Sequence, residues 1–146
     1  MAFKTIAVKG NGIRKEDVAI AAITPGELVE TAPTGVQRHS TAAGNAAPSF
    51  ALENELEGDG IDVDYAVGAQ VMIEHMPRGA EVYALLGAST AAVVKGSYLE
   101  SNGDGSLRLT TAAAATANTA RAGIIARALE PVTPSASKTR CLVEIL

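Results

Sequence analysis

The segment from Val93 to Leu109, VVKGSYLESNGDGSLRL, constrains the fold of this chain more than any other. Two runs with apolar patterning flank the pentapeptide SNGDG at residues 101–105. Asn-Gly and Asp-Gly accept the positive φ angles that a tight hairpin requires. On the second arm, Leu107 and Leu109 share one face and Arg108 takes the other, as in a half-buried strand. The segment therefore predicts a β-hairpin with a polar tip in an all-β protein.

Glycine-led turns recur before other apolar runs. The tetrapeptides GELV (26–29), GAQV (68–71) and GSYL (96–99) each lead from a turn glycine, through two variable residues, into an aliphatic strand entry. Glycine lets the chain turn sharply, and glycine-containing turns recur between the strands of small β-barrels and sandwiches. We therefore predict a mainly β fold, a small β-barrel or sandwich of antiparallel strands with an extended N-terminal arm.

Further strands and a division of the chain follow from the remaining apolar runs. The candidate strands are Val36 to Ser40, Ser49 to Glu53, Gln70 to His75, Glu81 to Leu86, Ile124 to Leu129 and Arg140 to Ile145. Residues 1–22 are expected to form an N-terminal arm or a short strand. The segment 14–23, which overlaps the end of this region, fits a helical turn or a strand. Residues 23–146 are expected to form the β-barrel-like domain.

Polar and glycine-broken segments predict loops between these strands. Residues 41–48 are small and turn-rich, residues 53–64 are acidic, and residues 131–137 contain prolines that a central strand does not accommodate. The Ala/Thr tract at 110–120 fits a short helix by alanine propensity and an irregular loop by its threonines.

Composition points to a small domain with a thin core. The chain has 146 residues, only 3% of them aromatic and none of them Trp. Aromatic side chains bury large areas, so we expect burial between copies to add stability, and we expect an oligomer. The net charge is −4 and the cationic residues are scattered, so no direct nucleic-acid binding is expected.

The sequence also limits the expected compartment. We expect no membrane association, because no apolar run approaches the ~20 residues that span a bilayer, and we expect no secretory signal. The single cysteine, Cys141, cannot form an intrachain disulfide, which fits synthesis in a reducing cytosol.

Candidate chemical motifs all have a simpler structural interpretation. NGDG at 102–105 resembles the start of a calcium loop, but Thr111 stands where that loop needs Glu. The carboxylates at 55–64 suit a solvated loop better than a cation site. His39 and His75 are not linked by spacing, and no local signature makes Cys141 a nucleophile. We therefore expect no catalytic residue, no cofactor-binding residue, no cofactor and no metal site.

From Ile23 onward the chain resembles the bacteriophage head decoration, or capsid cement, proteins. The resemblance rests on six stretches in one order. They are ITPGELV (23–29), AAPSFALE (46–53), GID (60–62), RGAEVYALL (78–86), GSYLESNGDGSL (96–107) and IIARALE (124–130). The resemblance implies a β-rich homotrimer on the outer face of an icosahedral head, synthesised in the host cytoplasm, that clamps neighbouring subunits of the major capsid protein.

Contact residues are expected on the arm and on two predicted strand edges, because an exposed strand edge can pair with another chain. The candidates for capsid or subunit contact are Phe3, Ile6, Val8, Val36, Leu142 and Ile145. Deletion of residues 1–9 is expected to weaken capsid attachment and leave the fold intact.

Two alternatives to a structural virion protein remain from the sequence. One is a ligand-binding or carrier-type small β-barrel, although a carrier would present a lysine on the hairpin tip and Lys95 lies before it. The other is a small trimeric enzyme with its site between subunits, for which Asp59, Asp62 and Asp64 would be the metal-holding group.

Overall fold

A computed structural model describes residues 2–110 and 123–146, and it confirms the mainly β fold. Eleven strands lie within these residues: β1 (Ala7–Lys9), β2 (Ile13–Val18), β3 (Val29–Ala32), β4 (Gly35–Arg38), β5 (Ser49–Ala51), β6 (Gln70–His75), β7 (Glu81–Leu86), β8 (Tyr98–Ser101), β9 (Leu107–Leu109), β10 (Ile124–Ala128) and β11 (Thr139–Ile145). The predicted hairpin is present, because β8 and β9 pair antiparallel with Ser101 opposite Leu107.

Five strands close into a small β-barrel. Their order is β7-β11-β10-β8-β9, and a parallel pairing of Leu86 with Leu107 returns β9 to β7. Strand β1 adds to β7 outside this ring. Alternating residues of the barrel strands point inward and bury aliphatic side chains. Those that are at most 1% exposed and larger than alanine include Val82, Leu86, Leu99, Leu107, Val143 and Ile145.

A second unit packs beside the barrel. It consists of a three-stranded sheet, β2-β6-β5, and the hairpin β3–β4. Phe50 in the edge strand β5 forms an isolated β-bridge with Leu28, just before the hairpin. The Ile20 amide, just after the edge strand β2, donates to Val36 O at 3.0 Å. Backbone contacts therefore connect the hairpin to both edges of the sheet. This unit has its own core, which consists of Ala19, Ile23, Val29, Val36, Ala51, Tyr65, Val71 and Ile73.

The glycine-led turns share one geometry. In the turns 24–27, 66–69, 77–80 and 94–97, the fourth residue donates its amide hydrogen to the first residue's carbonyl at 3.0 to 3.2 Å. The third residue of each turn is a glycine with φ between +87° and +94°. These are the features of type II turns. The three turns predicted from the sequence are confirmed, and the turn 77–80 adds a fourth.

The N-terminal residues belong to the folded body. Ile6 is fully buried, and its amide donates to Glu53 Oε2 at 3.0 Å. Thr5 Oγ1 donates to the other oxygen of Glu53 at 2.6 Å. Residues 13–18 form strand β2 against β6, so the strand alternative is confirmed for residues 14–18 of the predicted segment 14–23. The expected extended arm is therefore held to the body by strand pairing and by burial of an isoleucine.

A buried carboxylate joins the two units. Glu27 is 1% exposed, and its Oε1 lies 2.8 Å from Lys138 Nζ. Its other oxygen lies 3.3 Å from Arg38 Nε and accepts the Thr24 amide at 3.0 Å. Lys138 also donates to the carbonyl of Asp104 at the hairpin tip, at 2.7 Å. The start of β3 is thus tied to the β8–β9 hairpin by charged hydrogen bonds, which are stronger than neutral ones.

The predicted loops at 41–48 and 53–64 contain no strand. The Ala/Thr tract from 111 onward, which was expected to be a short helix or a loop, lies outside the described residues. Across residues 2–110 and 123–146, no helix has the length and apolar character needed to cross a membrane.

Candidate functional site

A shallow groove of about 570 Å³ runs over the outside of the barrel. Tyr98 and Ile124 come from the starts of β8 and β10, Leu146 follows the last residue of β11, and the turn 77–80 supplies Arg78. Side chains alternate along a strand, so Tyr98 faces out while Leu99 enters the core. Tyr98 is 48% exposed and Leu146 is 38% exposed. The groove therefore exposes large apolar side chains to solvent.

The groove has charges of both signs at its margin. Glu144 lines it and forms an ion pair with Arg127 at 2.7 Å. Arg78 also lines the groove, in the exposed part of its turn. Apolar residues inside polar margins are typical of surfaces that bind other macromolecules.

The six predicted contact residues are scattered. Ile6, Val36 and Ile145 are at most 2% exposed and belong to the core of this chain. Phe3 is half-buried and packs edge-on against Tyr83, with ring centroids 5.2 Å apart. Val8 and Leu142 are also half-buried.

The structure brings only one of the predicted contact residues to the groove, Ile145. The expected free edge of the last strand is absent, because β11 pairs with β7 on one side and β10 on the other. A truncation of residues 1–9 would remove the buried Ile6. Loss of such a side chain costs about 2–5 kcal/mol, so that truncation would change stability as well as any contact.

A second, more enclosed cleft of about 320 Å³ lies between the β2-β6-β5 sheet and the β3–β4 hairpin. Both histidines of the chain line it. In β6, His75 lies opposite Ser49 of β5, so their side chains share a face, and the Ser49 hydroxyl is 3.1 Å from His75 Nδ1. His39 reaches the cleft from the residue that follows β4. No spacing pattern predicts that the two histidines share this cleft, because their proximity results from pairing between distant strands.

His39 is held in a defined orientation. It is 3% exposed, its Nδ1 lies 2.7 Å from Ser101 Oγ, and its Nε2 lies 3.1 Å from the carbonyl of Asn45. A carbonyl only accepts, so Nε2 carries a hydrogen. Glu30 Oε2 lies 3.7 Å from the same nitrogen. The imidazole therefore connects the second unit to strand β8 of the barrel.

The remaining candidates for chemistry have structural roles. Burial raises the pKa of the Cys141 thiol to about 12, and the thiolate is the reactive form. At the hairpin tip, Asp104 accepts hydrogen bonds from the amide and the hydroxyl of Ser106. Within the described part of the chain, no three His, Cys, Asp or Glu side chains are placed to hold a metal ion.

No family model matches the sequence, and no curated protein matches it.

Proposed function

We propose that this chain is a structural virion protein that binds the outer surface of a phage capsid and bridges neighbouring subunits of the major capsid protein. In this proposal it acts as a homotrimer, without a cofactor and without a reaction. It is made in the host cytoplasm and ends on the outer face of the virion. Bridging would oppose separation of the capsid subunits under the pressure of packaged DNA.

The exposed groove, with its apolar side chains, carries the proposal. Tyr98 and Ile124 lie at the starts of the neighbouring strands β8 and β10, and Leu146 follows β11, so a closed hydrogen-bonded ring supports these side chains. Tyrosine is favoured at protein interfaces because it combines a large apolar area with a polar end. The ordered resemblance from Ile23 onward supports a capsid as the partner.

The arrangement also suits attachment at many positions. A groove of this size makes a modest contact, and repeated modest contacts across a symmetric shell give tight retention. The rigid barrel loses little conformational freedom on binding, which keeps the cost of each contact low.

The test is co-sedimentation of the purified protein with undecorated heads of the phage that encodes it. The double substitution Tyr98→Ser with Leu146→Ser removes the two exposed large apolar side chains of the groove without touching the core. Val67→Ser is the matched control, because Val67 is 68% exposed and lies on a turn outside the groove.

We expect the wild type and the control to sediment with the heads, and the double variant to lose at least about tenfold in affinity, which corresponds to about 1.4 kcal/mol. Failure of the wild type to bind heads would overturn the capsid assignment. Undiminished binding of the double variant would overturn the groove as the contact.

A further inference from the structure

We propose that copies of this chain join through the turn 94–97 on the barrel of one copy, which inserts into a pocket on the second unit of the next copy. Val94 and Lys95 are the inserted residues, and Leu56 and Glu57 belong to the receiving pocket. The inference rests on the homotrimer of the proposed function and specifies the surfaces through which its subunits meet.

The inserted turn is an exposed tip on a fixed backbone. Val93 is buried, and its amide and carbonyl both pair with Val132, at 2.9 and 3.0 Å. Val94 is 65% exposed, because neighbouring side chains of an extended segment point to opposite sides. At the third position of the turn, Gly96 donates its amide hydrogen to Ala128 O at 2.7 Å. Insertion of this turn therefore costs little conformational freedom.

The tip combines an apolar side chain with an unpaired charge. Lys95 is exposed, and its ammonium forms no ion pair at 4 Å or less with any described residue. Among the large hydrophobic residues that are exposed in the described part of the chain, only Val94 has such an unpaired cation next to it in sequence. A surface that receives this tip should therefore offer apolar side chains beside carboxylates.

The second unit has a pocket with this character, of about 250 Å³. Glu16 in β2 lies opposite Met72 in β6, so both side chains share the face of the sheet that is turned away from the histidine cleft. Leu56, which is 80% exposed, and Glu57 line the same pocket from the loop that follows β5. Met72 and Leu56 thus provide apolar contacts for a valine, and the two glutamates lie beside them.

The charge around the pocket is complementary to that of the tip. Four carboxylates lie on this face of the sheet or on the loop beside it: Glu16, Glu55, Glu57 and Glu74. Arg14 is the one cation of β2 on the same face, and its guanidinium already contacts two of them, at 3.0 and 3.9 Å. Lys15 lies on the opposite face of the strand. An inserted ammonium would therefore meet an excess of negative charge.

The positions of the two surfaces allow a closed assembly. The turn belongs to the barrel and the pocket to the second unit, so each copy offers its turn to one neighbour and its pocket to another. Repetition of such a head-to-tail contact around a three-fold axis closes a ring of three copies. Val94 and Lys95 do not line the groove around Tyr98. The contact between subunits and the contact with the capsid therefore use different residues.

The experiment measures the mass of the full chain in solution by sedimentation equilibrium over a range of protein concentrations. Lys95→Glu and Glu57→Lys each place like charges at the contact, and the double variant restores an opposite pair with the signs exchanged. Both residues are exposed, so neither substitution disturbs the core. Lys4→Glu is the matched control, because Lys4 is also exposed and unpaired within the described residues and lies outside the turn and the pocket.

We expect the wild type and Lys4→Glu to associate equally. Each single reversal at the contact should weaken association at least about tenfold, because like charges that face each other across an interface are unfavourable, and the double reversal should restore most of the loss. Val94→Ser changes no charge and should also weaken association, which keeps the proposal falsifiable if a reversed charge unfolds the chain. Circular dichroism of each variant shows whether it is folded.

The outcomes separate this contact from the homotrimer. Unchanged association in Lys95→Glu, or no recovery in the double variant, would overturn the contact and leave the homotrimer standing. A wild type that is monomeric at every concentration would overturn both. An assembly of two copies, or an open chain of copies, that Lys95→Glu dissociates would support the contact and overturn the homotrimer.

Discussion

Two glycines that occupy the same position in two type II turns should differ sharply in their tolerance of alanine. Gly26 and Gly68 have φ angles of +94° and +88°. Each glycine donates its amide hydrogen to a carbonyl of another segment: Gly26 to Ala51 O at 2.8 Å, and Gly68 to Ala19 O at 2.7 Å. Their backbone roles are therefore matched, and only the space around them differs.

A Cβ on Gly68 would meet nothing within 4 Å. The cost of Gly68→Ala is then the left-handed backbone conformation, about 1–2 kcal/mol for an L-residue, partly offset by about 0.4–1 kcal/mol of lost freedom in the unfolded chain. We expect a net loss of about 1 kcal/mol, which lowers the melting temperature by about 2–4 °C in a domain of this size.

A Cβ on Gly26 would lie 2.9 Å from Tyr83 O and 2.5 Å from Arg140 Nη1. Arg140 donates to Pro25 O at 2.8 Å and to Ile61 O at 2.6 Å, so displacement of its guanidinium breaks both hydrogen bonds. Hydrogen bonds to charged groups contribute about 1.5–3 kcal/mol each. We therefore expect Gly26→Ala to lose about 3 kcal/mol more than Gly68→Ala.

Urea unfolding of both variants, followed by circular dichroism, measures this difference. The double substitution Gly26→Ala with Arg140→Met should lose clearly less than the sum of the single losses, because both changes remove the same contacts. Equal losses in the two alanine variants would refute the reasoning, since they would show that the crowding around Gly26 relaxes without cost.

Three further predictions concern buried or charged groups. Glu53→Ala should destabilise the protein by about 1–3 kcal/mol by leaving the Ile6 amide without its acceptor, and hydrogen exchange of that amide should accelerate. Cys141, whose pKa burial raises to about 12, should resist thiol reagents at neutral pH until denaturant unfolds the chain; rapid labelling of the folded protein would contradict its burial. Burial raises the pKa of Asp104, but hydrogen bonds from Ser106 lower it by more and the net shift is downward. The stability from this shift is therefore present above the ordinary Asp pKa of about 3.9 and is lost as the pH falls through the lower folded value. The stability difference between the wild type and Asp104→Asn should shrink over that range.

Local patterns in the sequence were sufficient for most of the barrel. The hairpin around residues 101–105 has turn residues and alternation that act over a few positions, and the predicted strands at 70–75 and 81–86 match β6 and β7. The turn glycines could also be predicted from the sequence, because a positive φ is a local requirement. These signals need no knowledge of distant partners.

The burial of polar groups and the contacts between distant residues could not be predicted from the sequence. Glu27 and Glu53 are ordinary surface residues by type, and only their pairing with Lys138 and with the Ile6 amide makes burial tolerable. The fate of residues 2–9 likewise depends on β7, far along the chain. His39 and His75 share a cleft because of how hairpin β3–β4 sits against the three-stranded sheet, which no spacing rule expresses.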